Sequence, residues 1–432
     1  MKRVLILTYY WPPSGGSGVQ RWLKMSKYLP ENGWQPVVYT AKDAEYPVED
    51  LSLEKDVLPE AEVIRRPIFE PYSFYKKFLG IKKSEKVKAG FINEGQQKKG
   101  WKEDLSIWIR GNLFIPDARC LWIRPSVRFL KKYLKSHPVN VIISTGPPHS
   151  MHLIAMRLKK HFDIPWVADF RDPWTDIYYY EDLKLGRFAH RKQCRLEHEV
   201  LQKADKVVTV SRHCALGLER HGTKDIKVIP NGYDGDCNRS NLQANGFILS
   251  HIGIIPPKTS PVIWEAIGEL IKEHKEFSEH FQLRLVGQID NRIKELLIKY
   301  GVSAHTEFVH YLPHEKMPEN QGQSHVLLLL IPHIADARGI VTGKFYEYLQ
   351  ARRPILGIGP ENGDAATILK ATQSGLMIDF TDKSKMKAYL LDLFSQYQQH
   401  QLSVLPAVGI ENYSRKVLAG EYVKLLDKIT QR

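Results

Sequence analysis

Cysteine is scarce in this sequence. The 432 residues include four cysteines, Cys120, Cys194, Cys214 and Cys237, and no two of them form a CxxC pair. This spacing excludes the common structural zinc motifs and the thioredoxin-like redox motif. Widely separated thiols are typical of a reducing compartment, so we predict free cysteines and a cytoplasmic location.

Long apolar runs are also missing. The N-terminal run, Val4–Leu7, is shorter than the ~7–15 residues of a signal-peptide core. No stretch approaches the ~20 apolar residues of a membrane-spanning helix. We therefore expect any contact with a membrane to be peripheral.

Recognisable nucleic-acid modules are a third absence. The chain has no zinc-finger spacing, basic zipper or RNP-type aromatic motif, although its 62 Lys and Arg against 48 Asp and Glu give a net charge of +14. A basic protein attracts polyanions, including sugar nucleotides, anionic lipid headgroups and nucleic acids. Without a module that reads bases, nucleic acid is the least favoured of these partners.

The length and the apolar pattern favour two α/β domains. A chain of 432 residues is too long for a single hydrophobic core to serve comfortably. Short apolar strands alternate with helical patterns in both halves, which predicts parallel strands joined by right-handed crossovers. We predict a Rossmann-like domain over 1–240, a second one over 246–410, and a final helix over 411–432.

Lysines and apolar residues are mixed over 72–102. This stretch holds nine lysines with Phe, Leu, Ile and Trp among them. One interpretation is a solvated insertion into the first domain. The other is an amphipathic element that binds an anionic membrane surface.

Glycines follow the first predicted strand. Gly15, Gly16 and Gly18 lie between that strand and a helical pattern that begins at Val19. Glycines there let a ligand come close to the helix N-terminus, although Arg21 stands where the GxGxxG motif needs its third glycine. A tight turn before a helix would have the same pattern.

Polar side chains end two further strands of the first half. His149 follows the strand at 141–144, and Asp169, Arg171 and Asp172 close the strand at 166–169. Open α/β sheets bind ligands at the carboxyl ends of their strands. We predict that His149 contacts substrate and that the other three orient a hydroxylated acceptor; a surface histidine and an internal Arg–Asp pair are the simpler alternatives.

The strongest local signal is the segment GIVTGKFYEYL. Gly343 and Lys344 open a predicted helix directly after a strand, so free amides, the helix dipole and a lysine charge favour a diphosphate. Glu347 lies one turn further on, where a carboxylate can accept hydrogen bonds from ribose hydroxyls. A glycine-started surface helix with an internal ion pair is the alternative.

The order of these segments resembles a family 4 glycosyltransferase of the GT-B fold, especially the bacterial branch that makes surface polysaccharides. The resemblance runs from YYWPPSGGSGVQR through VSRHCALGL and VIPNGYD to GIVTGKFYEYLQARRPILGIGPENGDAA. It implies two facing Rossmann-like domains and a terminal helix that crosses back onto the first. It also implies transfer from a nucleoside diphosphate sugar to a glycan or lipid-linked acceptor. A lipid-linked acceptor would fit the basic charge and the lysine-rich stretch at 72–102, with the protein on the inner face of the plasma membrane. Retention of configuration is expected, without a metal or cofactor.

The resemblance assigns roles to individual residues. His149 is expected near the donor sugar, and Glu347 matches the second glutamate of the family's Glu-x7-Glu motif. The expected donor contacts are Gly15, Gly16, Gly18, Gly253, Lys258, Gly343, Lys344 and Glu347.

Two positions depart from the family pattern. Gly339 stands in place of the first motif glutamate, and Ile254 in place of an arginine after the first strand of the second domain. We expect Asp336 to substitute for the missing carboxylate and treat it, with His149, as a catalytic candidate. Two alternatives stay open: a sugar-nucleotide 2-epimerase of the same fold, and a nucleotide-sugar-binding protein without catalysis.

Overall fold

The computed structural model describes residues 1–70, 101–223, 225–235, 246–310, 317–402, 404–406 and 408–431. Nearly all of the predicted insertion at 72–102 and most of the predicted linker at 235–246 lie outside these residues. Both therefore stay predictions.

Contacts divide the chain into two compact units. The N-terminal unit comprises Met1–Pro230 together with Arg415–Arg432, and the C-terminal unit comprises Asn231–Ser414. The chain thus leaves the first unit after Pro230 and rejoins it at Arg415.

The N-terminal unit is built on a seven-stranded sheet in the order β3-β2-β1-β4-β5-β6-β7. Every pairing in it is parallel. The strands are β1 Lys2–Leu7, β2 Trp34–Lys42, β3 Glu62–Pro67, β4 Val141–Gly146, β5 Trp166–Phe170, β6 Lys206–Thr209 and β7 Ile226–Val228. The helices are α1 Ser17–Ser26, α2 Trp101–Leu113, α3 Ile123–Ser136, α4 Ser150–Phe162, α5 Arg187–Lys203 and α6 Arg212–Arg220.

The C-terminal unit repeats this design with a six-stranded parallel sheet in the order β10-β9-β8-β11-β12-β13. Its strands are β8 Phe247–Ile252, β9 Phe281–Val286, β10 Thr306–Val309, β11 Val326–Leu330, β12 Ile355–Ile358 and β13 Gly375–Ile378. Its helices are α7 Val262–Glu273, α8 Lys275–His280, α9 Asn291–Lys299, α10 Met317–Gly322, α11 Gly343–Ala351, α12 Asp364–Thr372 and α13 Lys383–Gln398.

Both sheets follow the Rossmann strand order, in which the direction of winding reverses beside the first strand. The reversal lies between β1 and β4 in one unit and between β8 and β11 in the other. Strands β1, β4, β5, β8 and β11 are largely or wholly buried, as expected for strands covered by helices on both faces. The predicted α/β class with two parallel sheets is confirmed.

The last helix, α14 Arg415–Thr430, belongs to the N-terminal unit. The Tyr422 ring packs edge-on against Trp22 of α1 with centroids 5.0 Å apart. Asp427 accepts a hydrogen bond from the Lys2 ammonium at 2.7 Å. The chain therefore ends in a helix that returns to its first unit.

Short 3-10 turns connect several of these elements, at Pro30–Asn32, Leu51–Asp56, Cys120–Trp122, Glu181–Leu183, Ser303–His305 and Ile410–Tyr413. Within the described part of the chain, no helix combines the length and the apolarity needed to cross a bilayer.

Candidate functional site

Helix α11 begins without a side-chain cap. Thr342 precedes it with an extended backbone and caps no amide of the first turn. Its hydroxyl oxygen is buried and has no hydrogen-bond partner among the described residues. First-turn amides have no partner inside a helix. The start of α11 can therefore bind an anion, as the sequence predicts.

Lys344 extends from α11 to the loop after β8. Its ammonium donates to the carbonyl of Ile254 at 2.9 Å and lies 3.3 Å from Nε2 of His251. A Cβ atom on Gly253 would lie 3.4 Å from the same nitrogen. Burial lowers the pKa of Lys344 to about 8, although the nearby Glu347 carboxylate acts in the opposite direction. The structure therefore brings together Gly253, Gly343 and Lys344, which are distant in sequence.

The loop after β8 is also tied to the segment after β11. The backbone amide of His333 donates to the carbonyl of Lys258 at 2.7 Å. The Lys258 residue itself is exposed, and Glu347 is half-buried. Glu347 thus lies in the first half of α11, and Lys258 lies in the loop after β8 that Lys344 contacts.

A cavity of about 430 Å³ opens where β11, β12 and β13 end. Its lining includes Ala337 and Arg338 after β11, Asn362 after β12 and Phe380 after β13. Asp336 is half-exposed, and its carboxylate accepts a hydrogen bond from Arg338 at 3.3 Å. The loop that carries the predicted catalytic carboxylate therefore borders a cavity.

In the N-terminal unit, α1 also begins without a side-chain cap. Gly16 occupies the position before the helix with φ at +81°, a conformation that favours glycine. At Gly18 a Cβ would lie 3.0 Å from the Tyr10 ring, which is closer than side chains ordinarily pack. Gly15 lies against Val48 and Asp50. Packing against neighbouring residues thus favours glycine in this turn, and the first amides of α1 have no side-chain cap.

Arg171 connects that turn to the loop after β4. Its guanidinium donates to the carbonyls of Gly18, at 2.8 Å, and Pro147. Its backbone amide donates to the carbonyl of Gly146 at 2.9 Å. The predicted acceptor contact therefore holds two loops in place, whereas the neighbouring Asp172 is exposed.

Asp169 lies in the core rather than on the surface. It is fully buried, and its carboxylate accepts hydrogen bonds from Arg21, Trp22, Thr145 and Tyr422. With both oxygens occupied by protein donors, Asp169 has no face for an acceptor. We assign it a structural role in place of the predicted acceptor contact.

His149 lies at the start of α4, with 8% of its surface exposed. Its ring stacks on Trp174 at 4.4 Å with the planes nearly parallel. Burial, together with His152 and Arg171, holds the pKa of His149 well below its ordinary value, so the ring is neutral at pH 7. The buried Nδ1 has no hydrogen-bond partner among the described residues.

The model of the Glycosyltransferase Family 4 matches residues 94–236. Sucrose-phosphate synthase from Thermosynechococcus elongatus is 14% identical, with a TM-score of 0.63, and each chain covers 100% of the other. The Anabaena HepE structure in complex with UDP-glucose is 12% identical, with a TM-score of 0.56, covering 100% of this chain and 98% of that one. WaaG, a glycosyltransferase involved in lipopolysaccharide biosynthesis, is 14% identical, with a TM-score of 0.52 and coverage of 99% and 98%. The chain therefore has the GT-B fold of these glycosyltransferases, and residues 94–236 resemble the Glycosyltransferase Family 4. A comparison with curated protein sequences finds no match.

One residue that contacts Lys344 was missed from the sequence. His251 is fully buried near the end of β8 and contacts Lys344. The available signal was a histidine inside the otherwise largely apolar strand FILSHI, because a buried polar side chain requires hydrogen-bond partners.

Gly146 is expected to tolerate no larger residue without a loss of stability. A Cβ there would lie 2.6 Å from Nε2 of His152 and 3.0 Å from Nδ1 of His149. We expect Gly146→Ala to lower the free energy of unfolding by about 1–3 kcal/mol through overpacking and to displace His149. Urea denaturation measures the first effect, and a crystal structure of the variant measures the second.

Gly420→Ala is the matched control for this substitution. It adds the same methyl group in α14, where a Cβ would meet nothing within 4 Å, and alanine favours a helix. Equal stability of the two variants would contradict the crowding around Gly146.

Proposed function

We propose that this protein is a glycosyltransferase that takes a sugar from a nucleoside diphosphate sugar and transfers it to a glycan or lipid-linked acceptor in cell-surface polysaccharide synthesis. The observation that carries the proposal is the uncapped start of α11 with the Lys344 ammonium beside it. Two similar structures add support, since one contains UDP-glucose and the other is involved in lipopolysaccharide biosynthesis.

The chemistry that this arrangement favours is stabilisation of a departing diphosphate. Negative charge develops on the leaving group, and fixed amides with an adjacent ammonium stabilise it without rearrangement. The transfer is proposed to be metal-independent and to retain the anomeric configuration. Neutral His149 would act by hydrogen bonding to the donor sugar.

A thermal-shift screen tests the proposal. A ligand that binds the native state raises the melting temperature by mass action, so UDP, GDP, ADP and dTDP and their sugars can be ranked together. We expect one diphosphate to raise the melting temperature at concentrations where its monophosphate and the free sugar do not. No shift with any of the diphosphates would contradict the proposal.

Asp336 is proposed to serve in place of the missing motif glutamate. It lies between two residues that line the cavity, Ala335 and Ala337, in the segment that leads to α11. We expect Asp336→Ala to lower turnover about 10- to 100-fold, as for loss of one charge-assisted hydrogen bond of about 1.5–3 kcal/mol. Asp392→Ala, on helix α13, is the control. Unchanged turnover and donor affinity in the Asp336 variant would remove this residue from the site.

The N-terminal unit is proposed to bind anionic membrane surfaces. Lys and Arg outnumber Asp and Glu there by 45 to 28, whereas they are outnumbered by 17 to 20 in the C-terminal unit. Helix α2 also exposes 69% of Trp101 and 45% of Trp108, with exposed Leu105 on the same face. Tryptophan beside basic residues is typical of proteins that lie on a bilayer.

Liposome flotation tests this membrane proposal. We expect binding to vesicles that contain anionic lipid, weaker binding to neutral vesicles, and a several-fold loss in Trp101→Ala/Trp108→Ala. Ile298→Ala removes an exposed apolar side chain from the other unit and should have no effect. Equal flotation with anionic and neutral vesicles would contradict the proposal.

A further inference from the structure

His251 is an unusual residue in its strand. Strand β8 is wholly buried, and His251 is 0% exposed. Burying an imidazole costs free energy unless its nitrogens are hydrogen-bonded. Nδ1 of His251 lies 2.9 Å from the carbonyl oxygen of Leu328, on the neighbouring strand β11.

Three polar groups contact the ring: the carbonyl of Leu328, 2.9 Å from Nδ1, and the carbonyl of Ile254 and the Lys344 ammonium, 3.4 and 3.3 Å from Nε2. The shorter carbonyl contact determines the tautomer. A carbonyl oxygen can only accept, so Nδ1 carries the proton and donates to Leu328. Burial and the Lys344 charge lower the pKa of His251 to about 3, so the ring is neutral at pH 7. Nε2 therefore has a free lone pair, which accepts a hydrogen bond from the Lys344 ammonium at 3.3 Å.

These contacts fix the direction of the Lys344 ammonium group. Two of its three N–H groups are directed at His251 and at the carbonyl of Ile254. An ammonium group is tetrahedral, so only one N–H direction remains for a ligand. A free lysine side chain carries about 2 kcal/mol of rotamer entropy. Because Lys344 is already held in place before a ligand binds, less of this entropy is lost on binding.

We infer that His251 is a positioning residue for donor binding, which holds Lys344 so that its remaining N–H is directed at the diphosphate. The inference rests on the proposed binding of the diphosphate by Lys344. The charged group that acts on Lys344 from its own helix is Glu347. From β8 the group that faces Lys344 is the His251 ring, which is neutral at pH 7.

Two substitutions separate the functions of the two ring nitrogens. The amide of His251→Asn can occupy the place of Nδ1 and keep the bond to Leu328, but it cannot reach Lys344. The longer side chain of His251→Gln places an acceptor near the position of Nε2. We expect about tenfold weaker UDP or GDP binding in His251→Asn, and a change of less than about threefold in His251→Gln, by isothermal titration.

Binding of the nucleoside alone distinguishes positioning from general disruption. His251→Asn should weaken the binding of the diphosphate but not that of the nucleoside, whereas a damaged fold would weaken both. His325→Asn is the control, because His325 is also buried in this unit and bonds the backbone of Ile248.

The outcomes also separate this inference from the proposed function. If Lys344→Ala leaves UDP and GDP affinity unchanged, the proposed diphosphate site is wrong, and this inference is wrong with it. If Lys344→Ala weakens binding but His251→Asn does not, only the positioning role is overturned. Equal losses in His251→Asn and His251→Gln also overturn it.

Discussion

Lys344→Ala is expected to weaken the binding of a nucleoside diphosphate roughly 30- to 100-fold. The substitution removes a charge-assisted hydrogen bond worth about 2–3 kcal/mol, and each 1.4 kcal/mol is about tenfold in affinity. The half-buried position of Lys344 limits screening by solvent. Isothermal titration with UDP and GDP measures the change.

The pH dependence of binding gives a second measure of the same contact. Because burial lowers the pKa of Lys344 to about 8, the free protein holds the charged form below that pH and loses it above. We expect diphosphate affinity to fall as the pH rises through 8. In Lys344→Ala this part of the pH profile should be absent.

Lys370→Ala is the matched control, because it removes the same charge from an exposed position on α12. A loss of affinity equal to that of Lys344→Ala would indicate general electrostatic attraction.

Glu347→Ala should weaken the binding of UDP or GDP about tenfold, because the proposed partners of Glu347 are the ribose hydroxyls. The variant should also lose the preference for a ribose over a 2′-deoxyribose nucleotide.

Asp169→Asn is expected to lower the free energy of unfolding of the N-terminal unit by about 3–5 kcal/mol. The substitution leaves the Arg21 guanidinium buried without its ion-pair partner, which is the costly way to break such a pair. Arg21 is 1% exposed and donates to Asp169 at 2.9 Å. Eight of the nine tryptophans lie in this unit, so fluorescence during urea denaturation reports on it.

The pH dependence of unfolding has a definite sign. Burial by itself would raise the pKa of Asp169, but the Arg21 charge and hydrogen bonds from Arg21, Tyr422 and Trp22 lower it below its ordinary value. The contribution of the Asp169 carboxylate to the free energy of unfolding is therefore complete above about pH 4. It declines as the pH falls through the lowered pKa. Asp169→Asn should lack this dependence.

Glu199→Gln serves as the control for the buried pair. Glu199 accepts hydrogen bonds from Arg195 and Lys203 on the outside of α5, and exposed pairs contribute about 0–1 kcal/mol. A similar small loss in Asp169→Asn would contradict the structural role of the buried carboxylate.

The sequence predicted the strands that carry continuous apolar runs. Strands β1, β4 and β5 extend the predicted runs at 4–7, 141–144 and 166–169 by one or two residues. Strand β3 was missed because its sequence EVIRRP is largely exposed at the sheet edge and has no continuous apolar run. Periodicity identifies buried strands much better than exposed ones.

The proximity of the predicted diphosphate-binding residues could be expected for a physical reason. Parallel strands bring their carboxyl ends to one edge of a sheet, so Gly253 and Lys344 could be expected together although 91 positions separate them. The contact of His251 with Lys344 depends on side-chain direction, which the sequence does not give. The burial of Asp169 depends on Tyr422, from a helix 253 positions later.

A crystal structure of the protein with UDP-glucose, or with the sugar nucleotide that ranks first in the thermal-shift screen, tests the central claim most directly. We predict that both phosphorus atoms lie beside the amides of Gly343 and Lys344, with the Lys344 ammonium within hydrogen-bond distance of a phosphate oxygen. Phosphorus atoms bound elsewhere, with Lys344 still directed only at His251 and Ile254, would contradict this account.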